Sequence, residues 1–180
     1  AKVYGDSTFV LNATASSGLA VSYTSSNPAV ATVSGSAVTI LGAGSTTITA
    51  SQVGDPNYAA ATNVEQTLIV GQAAQAITFA ALPAKVYGDA TFALNAAASS
   101  GLAVSYTSSN PAVATVSGST VTILGAGSTI IAATQAGDTN FSAATSVEQT
   151  LIVGQASQAI TFAALPAKVY GDAPFALNAT

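Results

Sequence analysis

The sequence predicts an all-β chain of tandem sandwiches, each of about seven short strands, and three observations carry that prediction. The first is repetition. Ser25–Thr46 and Ser108–Thr129 agree at every position but one, Ala37 against Thr120, and Ala-Lys-Val-Tyr-Gly-Asp begins at Ala1, Ala84 and Ala167, a period of 83 residues. The second is alternation of apolar and polar side chains over short runs, the period of a strand with one buried face. The third is composition: β-branched residues, Ser and Gly dominate every window, and no stretch has helical periodicity.

The period divides the chain into residues 1–71, a unit lacking its first strand; 72–154, a complete unit; and 155–180, the opening strands of a third. A unit of 83 residues buries only about 60 % of the surface its unfolded chain exposes, enough for a small two-layer core. Because Ala1 falls inside a repeat, the chain is expected to be an excerpt or a processed piece.

In the complete unit, Gln75–Phe79 alternates and reads as a first strand with Ile77 and Phe79 buried. Pro83 ends it. Lys85–Asp89 is a crossover, and Thr91–Ala98 alternates again with Phe92, Leu94 and Ala96 inward. Ser99-Ser-Gly turns the chain into Leu102–Thr107, where Val104 and Tyr106 share a face. Asn110-Pro111 marks a turn, Ala114 and Val116 a short strand, and Ser117-Gly-Ser119 a tight hairpin into Val121–Ile123. Gly125-Ala-Gly127 turns into Ser128–Thr134. Between the two copies Thr47 and Thr49 become Ile130 and Ala132 while Ile48 and Ala50 recur, so the swapping positions face solvent. Gly137–Phe141 is a loop whose aromatic, Tyr58 in the first copy, is expected to tuck under the sheet edge. Val147–Val153 closes the unit with Val147, Gln149, Leu151 and Val153 on one face.

Ser-Tyr-Thr-Ser-Ser-Asn-Pro-Ala-Val-Ala-Thr-Val-Ser-Gly followed by Val-Thr-Ile-Leu-Gly-Ala-Gly-Ser-Thr resembles the bacterial immunoglobulin-like repeats of the Big family. The closing Gly54–Val70 stretch is similar to the related MBG-type repeats of giant bacterial surface proteins. The likeness covers essentially all of both units, and Tyr23 and Tyr106 stand where many such repeats have tryptophan. It implies an immunoglobulin-like sandwich, a place at the bacterial cell surface or outside the cell, and roles in stalks, adhesins or fibres.

Composition narrows the chemistry. Charged residues are 6 % of the chain, against about 25 % in a typical soluble domain. Three lysines and no arginine or histidine cannot neutralise a row of phosphates, so nucleic acid is excluded as a partner. A net charge of −4 over 180 residues opposes side-by-side packing only weakly. No run of 18 apolar residues exists, Gln72, Gln75, Thr78 and Lys85 interrupting the best one, so the segment has no membrane span. Without histidine no nucleophile–base pair can be drawn, and the scattered acids form no paired-carboxylate cleft; the chain reads as no enzyme.

No cofactor is expected. Asp89 and Asp138 are weak calcium candidates, each standing alone where a calcium loop clusters several acids, and Asp138 beside Gly137 suits a turn former. Lys85, Asn95 and Glu148 have the residue types of an intramolecular isopeptide bond, although Lys85 also suits the guarding of a sheet edge. Asn12, Asn140 and Asn178 head glycosylation sequons of a kind that Ser/Thr-rich chains produce by chance. Tyr4, Tyr87 and Tyr170 are the aromatic candidates for a binding face, with burial at the sandwich rim as the plainer reading.

The leading function is structural, a stalk or filament of sandwiches joined through Gly71–Gln75 and advancing roughly 40 Å per unit. Its partners are other copies of the chain or neighbouring repeats, and Thr47, Thr49, Ile130, Ala132 and Tyr87 are the interaction candidates. Two readings of the phase stay open: a window on a continuous array, or a chain whose Gln158–Pro166 fills the open edge of the next copy, with Gln158, Ile160 and Phe162 donated. The alternative function is an adhesin module that grips glycan or a host protein.

Overall fold

The computed structural model describes residues 1–179; Thr180, the last residue of the Asn178 sequon, lies outside them. Repeat 1 holds β1 (Lys2–Val3), β2 (Phe9–Val10), β3 (Ser22–Ser25), β4 (Ala31–Ser34), β5 (Ala37–Ile40), β6 (Gly44–Ser51) and β7 (Val64–Gly71). Repeat 2 holds β8 (Ile77–Thr78), β9 (Lys85–Val86), β10 (Phe92–Ala93), β11 (Ala97–Ala98), β12 (Ser105–Ser108), β13 (Ala114–Ser117), β14 (Thr120–Ile123), β15 (Gly127–Thr134) and β16 (Val147–Gly154). No helix occurs among the described residues.

Each repeat is a two-layer immunoglobulin-like sandwich. Repeat 1 sets the sheet β1-β7-β6-β3 over β2-β5-β4, and repeat 2 sets β9-β16-β15-β12 over β10-β14-β13, with β8 and β11 as an added pair. The hairpin between β13 and β14 closes through Gly118-Ser119, and Gly118 has φ 58° at the first central position, as a type II′ turn requires.

Two expectations are corrected. Lys85–Asp89 is more than a crossover, because β9 pairs in parallel with β16, Val153 opposite Lys85, and forms the edge of its sheet. A two-residue strand carries too little alternation to be read from sequence. Lys85 on this edge holds its Nζ 4.9 Å from the Phe92 ring centroid, and Lys2 does the same to Phe9 at 4.7 Å. The stretch Thr91–Ala98 is two strands: β10 pairs with β14 and β11 with β8, so the chain passes from one sheet edge to another between them. Phe92, Leu94 and Ala96 nonetheless all point inward.

The core of repeat 2 gathers Ile77, Phe79, Leu94, Val121, Ile131 and Leu151, with Tyr106 packed against it. Around it, β15 and β16 alternate as their sequence demands, Leu151 and Val153 inward, Glu148 and Ile152 outward. One polar group is buried in each core: Thr129, whose Oγ1 accepts from Asn110 N at 3.0 Å and lies 2.8 Å from Ser108 Oγ, and its counterpart Thr46. That pairing ties the Asn-Pro turn to β15 and satisfies the hydroxyl, as burial requires.

Candidate functional site: a groove and a joint

Two surfaces distinguish the repeats, a groove that follows from where β8 lies and a joint built by the Gly137–Phe141 loop. In repeat 2, β8 runs antiparallel to β11, with Ile77 opposite Ala98. Ser99 N donates to the Ala76 carbonyl at 2.8 Å, and Gln149 Nε2 donates to the Phe79 carbonyl at 2.8 Å. The Phe79 ring meets Tyr106 edge-on, centroids 5.8 Å apart. Ile77 and Phe79 thereby close the sandwich over Ile131 and Leu151.

Repeat 1 carries the same lining residues without that cover. Phe9, Leu11, Tyr23, Ile48, Gln66 and Leu68 border an apolar groove of about 380 Å³, each 83 residues before its counterpart around β8. The chain also contains a second copy of the covering strand, since Gln158–Pro166 repeats Gln75–Pro83 without a change. In that segment Ile160 is 84 % and Phe162 53 % exposed, and its sole strand pairing among the described residues is an isolated bridge from Phe162 to Ala179. Residues 167–180 match Ala1–Thr14 closely, and the strands β1 and β2 of repeat 1 already fill those places, so a donated strand would end at Pro166.

The second surface is the joint. The Gly137–Phe141 loop does not tuck under its own sheet; it reaches back to repeat 1. Gly137 has φ 80°, and a Cβ there would collide with the Phe141 carbonyl oxygen, so only glycine opens the turn. Asp138 Oδ1 accepts from the amides of Asn140 and Phe141, both at 2.8 Å, which rigidifies the loop. Asn140 Oδ1 then accepts from Ala43 N at 2.9 Å, and Ala73 N donates to the Asn140 carbonyl at 2.8 Å. Gln72 Nε2 donates to the Asp138 carbonyl at 2.6 Å, and Phe141 packs edge-on against Tyr4 at 5.4 Å. Each such bond contributes about 0.5–1.5 kcal/mol and the aromatic pair a similar amount, enough together to hold two repeats at one angle.

The predicted residues distribute unevenly over these surfaces. Thr47, Thr49, Ile130 and Ala132 do face outward on β6 and β15, with Ile130 opposite Thr150 and Ala132 opposite Glu148 on the sheet face away from the core. They lie apart from the groove lining. Tyr87 is not buried at the rim but 54 % exposed, whereas its counterpart Tyr4 is half-buried by Phe141. Asp89 Oδ2 accepts from Val86 N at 3.0 Å and Asp138 caps the joint loop, so both carboxylates serve turns, and no cluster of three acids occurs among the described residues. Asn95 and Glu148 are exposed, and Lys85 sits over Phe92, which leaves the isopeptide trio without the buried setting its condensation needs. Sequence reasoning missed Asn140, Ala43 and Gln72, since their contacts span 66 to 97 residues and no local pattern announces them.

A family model described as intimin, immunoglobulin-like domain, matches residues 7–54 and again 88–137, together more than half of the chain. The chain belongs to that family. Both matches end at the glycine that opens the Gly-Asp-x-Asn-aromatic loop, so the joint loop and the closing strand lie outside this intimin-type immunoglobulin-like match in each repeat. The resemblance to bacterial immunoglobulin-like surface repeats is thus shown. A solved structure described as surface layer protein SbsC, domains 1–6, aligns with 80 % of this chain at 17 % identity and a TM-score of 0.35, and the chain spans about 21 % of that structure's length. No curated protein matches the chain.

Proposed function

We propose that the chain is a structural segment of a bacterial cell-surface or extracellular stalk or filament, in which each sandwich is completed by the strand that follows the preceding one. The observation that carries this reading is the pairing of an open groove in repeat 1 with an unused copy of the strand that fills the same groove in repeat 2. Placed as β8 is, Gln158–Pro166 of one copy would set Ile160 and Phe162 against Leu11, Tyr23 and Leu68 of the next, and Gln66 would donate to the Phe162 carbonyl. Membership of the intimin-type family supports the surface location.

Magnitudes set the strength of such a contact. Burying Ile160 and Phe162 contributes about 1.5–3 kcal/mol each. Association costs about 4–15 kcal/mol in lost freedom, so separate chains join through the strand only weakly and at high concentration. Within one chain the cost is largely met by the linker, and the contact is firm.

Sedimentation velocity and electron microscopy of the 180-residue chain over rising concentration test the reading. End-to-end species are expected in the native chain and are expected to be reduced in the Ile160→Asp, Phe162→Asp variant at the same concentration; an unchanged distribution would overturn strand addition. Monodisperse monomers at the highest concentration would overturn it. The adhesin reading has Tyr87 exposed in its favour; glycan or protein binding lost on Tyr87→Ala with the fold intact is the result that would raise it.

A further inference from the structure

The joint of repeats 1 and 2 has a counterpart that holds no loop among the described residues. The residues of repeat 1 and of the Gly71–Gln75 joint that grip the Asp138–Phe141 loop recur 83 positions later: Tyr4 as Tyr87, Ala43 as Ala126, Gln72 as Gln155 and Ala73 as Ala156. These later residues line a cavity of about 630 Å³. The loop itself also recurs earlier, as Gly54–Tyr58, and it is folded in the same way. Asp55 Oδ1 accepts from Asn57 N and Tyr58 N, both at 2.8 Å, and Gly54 has φ 78°. Tyr58 is exposed, where Phe141 is partly covered.

We propose that Tyr87, Ala126 and the Gln155–Ala156 edge form a socket for the Gly54–Tyr58 loop of a second copy of this chain. This deepens the reading of the chain as a self-associating array but uses different atoms from the strand and groove. Ala126 N would donate to Asn57 Oδ1, Gln155 Nε2 to the carbonyl of Asp55, and Ala156 N to the Asn57 carbonyl, while Tyr58 packs on Tyr87. Pro56 in place of Thr139 is no obstacle, since the joint uses only the backbone carbonyl of that residue. Ala59 in place of Ser142 keeps the amide that Ala73 O accepts and loses only the hydroxyl contact at 3.3 Å.

The same rigid-body step that carries repeat 1 onto repeat 2 brings loop to socket. Loop and socket are different patches of one chain, so the contact is heterologous and propagates in line rather than closing on a pair. That step also sets Gln158–Pro166 along the groove of the next copy, so the two contacts are geometrically compatible without depending on each other.

The chain has no cysteine, which makes the test clean. Full chains carrying Pro56→Cys and Leu124→Cys are mixed and treated with a short bis-maleimide; the pair Leu41→Cys, Thr139→Cys in one chain calibrates the reagent across the existing joint. Mixed dimers are expected in about tenfold excess over self-pairs, falling to parity when Asn57→Leu is added to the first chain. Adding Ile160→Asp and Phe162→Asp separates the two contacts: excess mixed product in that background upholds the socket even if strand addition fails. Native chains that associate by sedimentation yet give mixed and self products equally, or a yield unmoved by Asn57→Leu, overturn the socket and leave strand addition standing. Absence of any cross-link at high concentration overturns the socket as well.

Discussion

Leu68 and Leu151 stand at the same point of the same strand sequence, Val-Glu-Gln-Thr-Leu-Ile-Val-Gly, yet Leu151 is fully buried and Leu68 only half-buried. Val64 is 58 % exposed, while Val147 packs against the core of its repeat. Ten buried residues make one cluster in repeat 2, and three in repeat 1. The residues are nearly the same, so composition cannot be the cause. The cause is one strand, the Gln75–Phe79 stretch that opens repeat 2 and lies over its sandwich, with no counterpart over the groove of repeat 1. Burial of these strand residues follows the presence of that one covering strand and not their own identity.

The largest effect expected from breaking this difference is at Phe79. Phe79→Ala removes a buried ring and costs about 3–5 kcal/mol, lowering the unfolding temperature of repeat 2 by well over 10 °C by calorimetry, since about 4–8 °C accompanies each kcal/mol at this size. Phe162→Ala, in the dilute monomer, is expected within about 0.5 kcal/mol of native. Equal losses at the two positions would show that the third-unit strand is already seated. Next comes the leucine pair: Leu151→Ala costs about 2–5 kcal/mol and Leu68→Ala less than half of its partner's loss, measured by urea unfolding. A smaller effect, equal in the two repeats, is expected at the buried hydroxyls. Thr46→Val and Thr129→Val each leave a turn amide unpaired and cost about 1–3 kcal/mol. A difference between them would show that the Asn-Pro turn also senses the covering strand. The smallest is Ile130→Thr, outward on β15 and already threonine in repeat 1, expected within about 0.5 kcal/mol.

Most of the fold was legible because alternation is strict wherever a strand has one buried face. β13, β14, β15 and β16 lie where Ala114, Val121, Ile131 and Leu151 demand them. The two-residue strands β9, β10 and β11 were not legible, since pairing there is decided by the partner sheet and two residues hold no period. Gln158, Ile160 and Phe162 were singled out as donation candidates through the phase of the repeat. The joint was not, although its loop was recognised as a loop: the sequence marks Gly137-Asp-Thr-Asn-Phe as a turn, and nothing local says that Asn140 reaches Ala43 and Phe141 reaches Tyr4. Side chains that serve a neighbouring repeat leave the same signature as side chains that serve none.

The groove in repeat 1 can be tested without assembly. A synthetic peptide of residues 156–166 is titrated into the Ile160→Asp, Phe162→Asp chain, whose own third-unit strand cannot compete, while amide exchange of β7 and the Tyr23 and Leu68 side-chain resonances are followed by NMR. Saturable binding is expected, with Leu68 and Val64 amides gaining protection toward that of Leu151 and Val147, and none when the peptide itself carries aspartate at 160 and 162. Unchanged resonances at saturating peptide, or equal binding of the aspartate peptide, would contradict the account.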